Sequence, residues 1–317
     1  SACLVGSEMC IRDRIQAHEI QGVLAIENAF NAVGLDHVLL VKLASAAVCT
    51  RLLGGDRDVI ISAISNAWVD GGTLRTYRHA PNTGARKSWA AGDASARAVR
   101  LALLALRGEG AYPTALTAPT WGWQDIFFHG QPLRVARPFG SYVMEHILFK
   151  VAYPAEFHAQ TAVEAALALH PQVAGRVDEI ASVRLTTQAA GQRIIDKRGP
   201  LANPADRDHC LQYIVAVALL YGEVTGESYS DTTAADPRID ALRAKMTVVE
   251  ESQFSRDYLD PELRSIANGV AITFADGATL GPVVVEYPLG HRRRRAEGLP
   301  LLRQKLCANL ATQLSPA

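Results

Sequence analysis

Residues 38–53, VLLVKLASAAVCTRLL, are apolar nearly all round. A helix with that pattern has no face to offer water and must sit inside a larger assembly. Gly54 and Gly55 end it, since glycine closes a helix at little steric cost. The flanking segments read as its partners. Ile20, Val23, Leu24, Ile26 and Phe30 recur at helical spacing across 15–30. Asp56 stands where it can cap a third helix, with Val59, Ile60, Ile61, Ile64 and Trp68 on its apolar side. Asp93 reads as the cap of a fourth, which runs to Gly108 and is supported by Arg97 four residues on. Residues 108–138 hold Gly, Pro and the aromatics Trp121, Trp123, Phe127 and Phe128, and read as a long surface connection.

The style changes after Ser141. Helices are expected at 160–169 and 211–221, and a strand at 180–187. Val270–Phe274 and Val283–Tyr287 flank Asp276-Gly277, a hairpin signal. A last helix covers 299–314. The fold class is therefore mainly α with a smaller α+β domain. The sheet is expected to be antiparallel, the boundary to fall near 140–150, and the closing helix to return to the first domain. A chain of 317 residues has room for two domains. Ser1–Arg14 does not lead into the helix that follows and is expected to be a non-native leader outside the fold.

Composition narrows the function classes. Thirty-two Lys+Arg against 32 Asp+Glu weigh against a nucleic-acid partner. No apolar run reaches membrane-span length. The five cysteines, Cys3, Cys10, Cys49, Cys210 and Cys307, have no paired spacing. A disulfide scaffold, a zinc site and an iron–sulfur centre are disfavoured, and the chain reads as cytoplasmic. No nucleophile elbow, P-loop or dinucleotide fingerprint is present.

Three stretches carry candidate chemistry. Thr73–Lys87 concentrates Arg75, Arg78, His79, Arg86 and Lys87, with no acidic residue between Asp70 and Asp93. Arginine forks bind carboxylates in bidentate fashion, so this is either an anion site or a solvated basic loop. Lys150–His158 places a lysine and a histidine around a Tyr-Pro turn. Both types transfer protons when tuned by burial and neighbours. The alternative is a snorkelling lysine and a capping histidine. In Asn203–Tyr213, a turn and cap precede an apolar helix, and Tyr213 by itself reads as packing. His37, ahead of the buried helix, is by itself structural, and His291–Arg295 is a solvated basic face.

Long segments, taken together, resemble the MmgE/PrpD family. They are residues 18–38, 67–103, 112–123, 137–167, 193–210, 236–243 and 283–295, among them AWVDGGTLRTYRHAPNTGARKSWAAGDASARAVRLAL and RPFGSYVMEHILFKVAYPAEFHAQTAVEAAL. The resemblance runs from about residue 15 to the end. It implies a helical domain at 15–147, an α+β lid domain at 148–287, and closing helices at 288–317 that return to the helical domain. It also implies dehydration of 2-methylcitrate to 2-methyl-cis-aconitate in propionate breakdown. The resemblance further implies a small tricarboxylate substrate, no metal or other cofactor, and a homodimer. Matched by motif, His37, Lys87, Lys150, His158 and Tyr213 take the catalytic positions. Arg75, Arg78, His79 and Arg86 take the substrate-binding ones. The related cis-aconitate decarboxylases have a histidine three residues after the first lysine; here that residue is Ala90. The family begins with further helices that bring an Asp-rich motif with a Thr and a His to the site. Ser1–Arg14 does not match them, so the chain is expected to be truncated there. A decarboxylase-like reaction, or a tricarboxylate-binding fragment without turnover, are the competing expectations.

Overall fold

The computed structural model describes the backbone of residues 2–314 except 80 and 136, and side chains from residue 11 onward. The chain divides into two compact units, 1–146 and 147–317.

The first unit is helical. Helix α1 (Ala2–Glu27) is followed by α2 (Val38–Leu52), α3 (Arg57–Val69) and α4 (Arg86–Leu106), with short helices α5 (Trp123–Phe128) and α6 (Tyr142–His146). Residues 2–14 belong to one unbroken helix with 15–27, and Asp13 is buried. Helix α2 lies in the core, as its all-round apolar pattern requires, and packs on α1, α3 and α4. Helix α4 meets it through Ala90, Ala94, Ala98, Ala102 and Ala105, all buried. A stripe of small side chains lets two backbones approach closely and leaves the larger α2 residues to fill the gap. Asp56 caps α3 by accepting from the Asp58 and Val59 amides. Asp93, expected as a cap, instead stands inside α4, which already starts at Arg86. The connection at 108–138 is not wholly on the surface. Trp123 is 3% exposed and meets Trp68 edge-on at 4.9 Å, with Phe30, Phe127 and Phe128 around it. Aromatic burial of that size anchors an otherwise irregular loop.

The second unit holds α7 (Gln160–Val173), β1 (Ile180–Thr187), α8 (Ala189–Ile195), α9 (Pro204–Arg207) and α10 (Leu211–Tyr221). Then follow α11 (Asp231–Ala234), α12 (Pro237–Ala244), β2 (Met246–Glu250), α13 (Ser252–Leu259), β3 (Asn268–Phe274), β4 (Thr279–Val285) and α14 (Arg295–Ala311). The strand order is β2-β1-β3-β4. The sheet is mixed rather than antiparallel, because β2 pairs parallel to β1. Parallel neighbours need a long crossover, and the helices α8 to α12 supply it. Gly277, at φ +85°, turns the β3–β4 hairpin. The second strand begins at Thr279 rather than Val283. Every residue of α10 from Leu211 to Leu219 is buried, with α7 and α12 against it.

The closing residues 288–317 were expected to return to the first unit; they group with the second. Arg294 explains why: it pairs with Glu164 of α7 at 2.7 Å. The Lys305 ammonium donates to the Lys150 carbonyl at 2.9 Å. Gly290 lies so close to the chain that a Cβ there would stand 1.7 Å from the Phe149 carbonyl oxygen.

Candidate active site

In the first unit the site is built on Asp36, which is fully buried in the turn ahead of α2. The Val38 amide donates to its Oδ1 at 3.0 Å, so Asp36 holds the start of the buried helix. The loop at 73–78 is tied to the same turn. The Asp36 amide donates to the Thr73 carbonyl at 2.7 Å, and the Arg75 amide to the Gly34 carbonyl at 2.9 Å. That places two arginines on the carboxylate. Arg78 donates from Nε to Oδ2 and from Nη2 to Oδ1, the second at 3.3 Å. Arg75 Nη1 lies 3.8 Å from Oδ2, and His37 Nδ1 lies 3.4 Å from Oδ1. Burial would raise the Asp36 pKa. The Arg78 hydrogen bond, the charges of His37 and Arg78, and the Val38 N–H together hold it below the usual carboxylate value. Partial desolvation, with Arg78 and Arg75 nearby, holds His37 below an ordinary histidine while Asp36 pulls the other way.

The cationic loop therefore meets its counter-charges from outside the loop. Asp36 takes Arg78 and approaches Arg75, while Asp93 lies 3.4 Å from Arg86 and 3.1 Å from Arg97. Beside it opens a cavity of about 360 Å³, lined by Lys42, Asp70, Tyr77, Arg86, Asp93 and Arg97 among others. Lys42 was not singled out, because it sits within the apolar run. It is 6% exposed and donates to Asp70 at 3.1 Å and to the Gly71 carbonyl at 3.1 Å. Burial lowers its pKa against the pull of Asp70. Lys87, half-buried, stands in the first turn of α4, and His79 is exposed at the end of the 75–78 turn. Asp36 was equally missed, although an acidic residue just before a buried helix is a capping signal.

In the second unit, His158 lies on a single 3-10 turn that leads into α7. Its Nδ1 is 2.8 and 3.0 Å from the two oxygens of Glu156, and its amide donates to Glu156 at 2.7 Å. Its Nε2 is 3.2 Å from the Tyr258 hydroxyl on α13. Burial would raise the Glu156 pKa; the hydrogen bond and charge of His158, the charge of His209 and the His158 N–H hold it down. Burial and Glu156 push the Tyr258 phenol up against Arg264 and Arg193. Lys150 approaches the same group of charges. Burial lowers its pKa, while Glu156 and Asp208 oppose the shift, and its ammonium lies 4.9 Å from the Phe157 ring. Tyr258 and Glu156 were not foreseen: α13 is amphipathic, with Phe254 and Tyr258 four residues apart, but is only eight residues long and was not read as a helix, and Glu156 reads only as a helix-start residue.

Tyr213 lies within the buried helix α10. It is 2% exposed, its hydroxyl donates to the Ser228 carbonyl at 2.8 Å, and burial pushes its pKa up to about 12. The hydroxyl thus has the partner that a buried tyrosine needs. Among the described residues, no three His, Cys, Asp or Glu side chains are grouped to hold a metal ion. No helix among them is long and apolar enough to cross a membrane.

Fold and site together define a two-unit protein. One unit is helical and carries an arginine-rich cluster on a buried carboxylate. The other is α+β and carries a Glu–His–Tyr cluster. The MmgE/PrpD N-terminal domain matches residues 4–136 and the MmgE/PrpD C-terminal domain matches residues 153–317. The chain belongs to the MmgE/PrpD family. It is 62% identical to a 2-methylcitrate dehydratase of Cupriavidus necator over 95% of this chain and 63% of that protein. It is 61% identical to the 2-methylcitrate dehydratase of Salmonella typhimurium over 94% of this chain and 62% of that protein. With the mitochondrial 2-methylcitrate dehydratase of Yarrowia lipolytica it shares 57% identity over 93% of this chain and 58% of that protein. The chain thus spans less than two thirds of the length of these relatives.

Proposed function

We propose that this chain is the corresponding part of a 2-methylcitrate dehydratase, a lyase that removes water from 2-methylcitrate to give 2-methyl-cis-aconitate. The observation that carries this reading is the 62% identity to an enzyme of that name across 95% of the chain. The chemistry fits the residues. A tricarboxylate needs cations, and the cavity in the first unit combines Lys42, Arg86 and Arg97 with two carboxylates. Lys87, Arg75, Arg78 and His79 belong to the same basic stretch of the first unit. Abstracting a proton beside a carboxylate builds up negative charge, which pre-placed cations stabilise. A base takes the carbon-bound proton and an acid protonates the departing hydroxyl. His158 is the acid/base group with the fullest support, because its ring is held from both sides. His37 is the second such candidate. Arg78 holds Asp36 in place as well as adding charge. The reaction runs without a metal ion, in the cytoplasm, as a step of propionate breakdown, and the assembly is a homodimer.

The test is a turnover assay with 2-methylcitrate, with and without a strong chelator, following the unsaturated product by its ultraviolet absorbance. Turnover that survives the chelator supports the reading. Release of carbon dioxide from cis-aconitate would replace it with a decarboxylase. A folded chain that is stabilised by the tricarboxylate but yields no product is a binding fragment, since a ligand that binds only the folded state raises its apparent stability.

A further inference from the structure

The residues around His158 specify which of its nitrogens carries the proton. An ionised carboxylate only accepts hydrogen bonds. Both Glu156 oxygens lie within 3.0 Å of Nδ1, so in the neutral ring the hydrogen sits on Nδ1. The lone pair is then on Nε2, which faces the Tyr258 hydroxyl at 3.2 Å. A neutral phenol donates, so the second contact agrees with the first. The pair is also well enclosed, with both side chains 12% exposed. Glu156 is itself tied down: it accepts from the His158 amide at 2.7 Å, and its own amide donates to the Asp208 carbonyl at 3.2 Å. On the far side, Asn268 donates to the His158 carbonyl at 2.7 Å. Lys150, Asp208, His209, Arg193 and Arg264 are the charged groups around the cluster.

We infer that Glu156 is a positioning residue. It locks His158 in the Nδ1–H tautomer and so presents Nε2, with Tyr258 against it, as the working nitrogen. This rests on the reading of His158 as the acid/base group. The general reason is that the hydrogen bond made by one imidazole nitrogen decides the state of the other. A structural carboxylate would serve equally well as an amide. A positioning carboxylate would not, because a glutamine side chain both donates and accepts and no longer selects one tautomer.

The experiment uses the whole chain labelled with 15N-histidine, with the His158 signals assigned by their loss in His158→Gln. The neutral ring is expected to show Nδ1–H in the wild type and in Tyr258→Phe, and a mixture of tautomers in Glu156→Gln. In turnover of 2-methylcitrate, Glu156→Gln is expected to lose about 10²-fold or more in kcat with KM little changed, the scale of general acid–base catalysis. An Nε2–H ring in the wild type overturns the inference. So does a Glu156→Gln variant that keeps the wild-type tautomer, or a Tyr258→Phe variant that loses it. The tautomer signals do not depend on turnover. A wild-type chain that is inactive on 2-methylcitrate therefore defeats the functional reading and leaves the assignment of Glu156 to be decided by the spectra. Should Glu156→Gln not fold, Tyr258→Phe carries the decision: an Nδ1–H ring without the phenol supports the lock, and its loss overturns it.

Discussion

Replacing Arg78 by leucine separates what this arginine does for the fold from what it does for a ligand. Asp36 is 0% exposed and takes two guanidinium contacts from Arg78. Its remaining neighbours cannot replace them. Arg75 Nη1 is at 3.8 Å and His37 Nδ1 at 3.4 Å, beyond or at the limit of a hydrogen bond. The Val38 N–H at 3.0 Å and the Tyr77 hydroxyl remain as neutral donors, which do not neutralise the charge. Removing one partner of a buried pair leaves an uncompensated charge and costs about 3–5 kcal/mol. The assay is urea unfolding followed by tryptophan fluorescence. All four tryptophans, Trp68, Trp89, Trp121 and Trp123, lie in the first unit, so the signal reports on that unit alone. The pH dependence gives a second readout. The Asp36 pKa is lowered in the folded chain, so its ionisation stabilises the fold above its unfolded pKa of about 3.9, and that stability is lost as the pH falls through the folded value. In Arg78→Leu burial dominates and the Asp36 pKa rises. Acidification towards that value then relieves the buried charge instead of adding to the loss. Adding Asp36→Asn to Arg78→Leu is expected to recover part of the stability, because the two sites share one interaction. A single-variant loss below about 1 kcal/mol, the level of an exposed ion pair, would refute the reasoning.

Lys87→Ala is expected to abolish most turnover of 2-methylcitrate while leaving the tryptophan-monitored transition in place; wild-type kcat in this variant would remove Lys87 from the site. Tyr213→Phe deletes the hydrogen bond to Ser228 and is expected to cost about 0.5–1.5 kcal/mol in the second unit, with kcat retained. Amide exchange in α10 measures the first effect, and a large loss of kcat in a stable variant would make Tyr213 an acid/base group. Gly290→Ala forces a Cβ against the Phe149 carbonyl and is expected to destabilise the second unit by about 1–3 kcal/mol. Unchanged amide protection around residues 147–151 and 288–295 would show that the two segments do not hold each other.

The sequence and the structure agree where patterns are local. The all-round apolar runs at 38–53 and 211–221 are buried helices, the alternating run at 180–187 is a strand, and Asp276-Gly277 turns a hairpin. They differ where a partner comes from far along the chain. The basic stretch at 73–87 looked uncompensated because the carboxylate that meets Arg78 lies 42 residues away. Strand β2 was not seen, since five residues between two helices carry little periodic signal and its parallel pairing depends on a crossover. The hydroxyl at His158 comes from Tyr258, 100 residues on.

By itself, the order of residues determined the main helices, the strand at 180–187 and the hairpin, the mainly α class with its smaller α+β part, and the family resemblance. Each of these depends on spacing within a few turns of chain, where sterics and burial act directly on neighbours. Tertiary structure alone decided which charges pair. It took Arg78 for Asp36, drew Lys42 onto Asp70, held the closing segment to α7 through Arg294 and Glu164, and put Tyr213 on a carbonyl instead of in a cluster. A charge cannot choose its partner from sequence, because attraction acts only once packing has closed the intervening loops and removed the water between them.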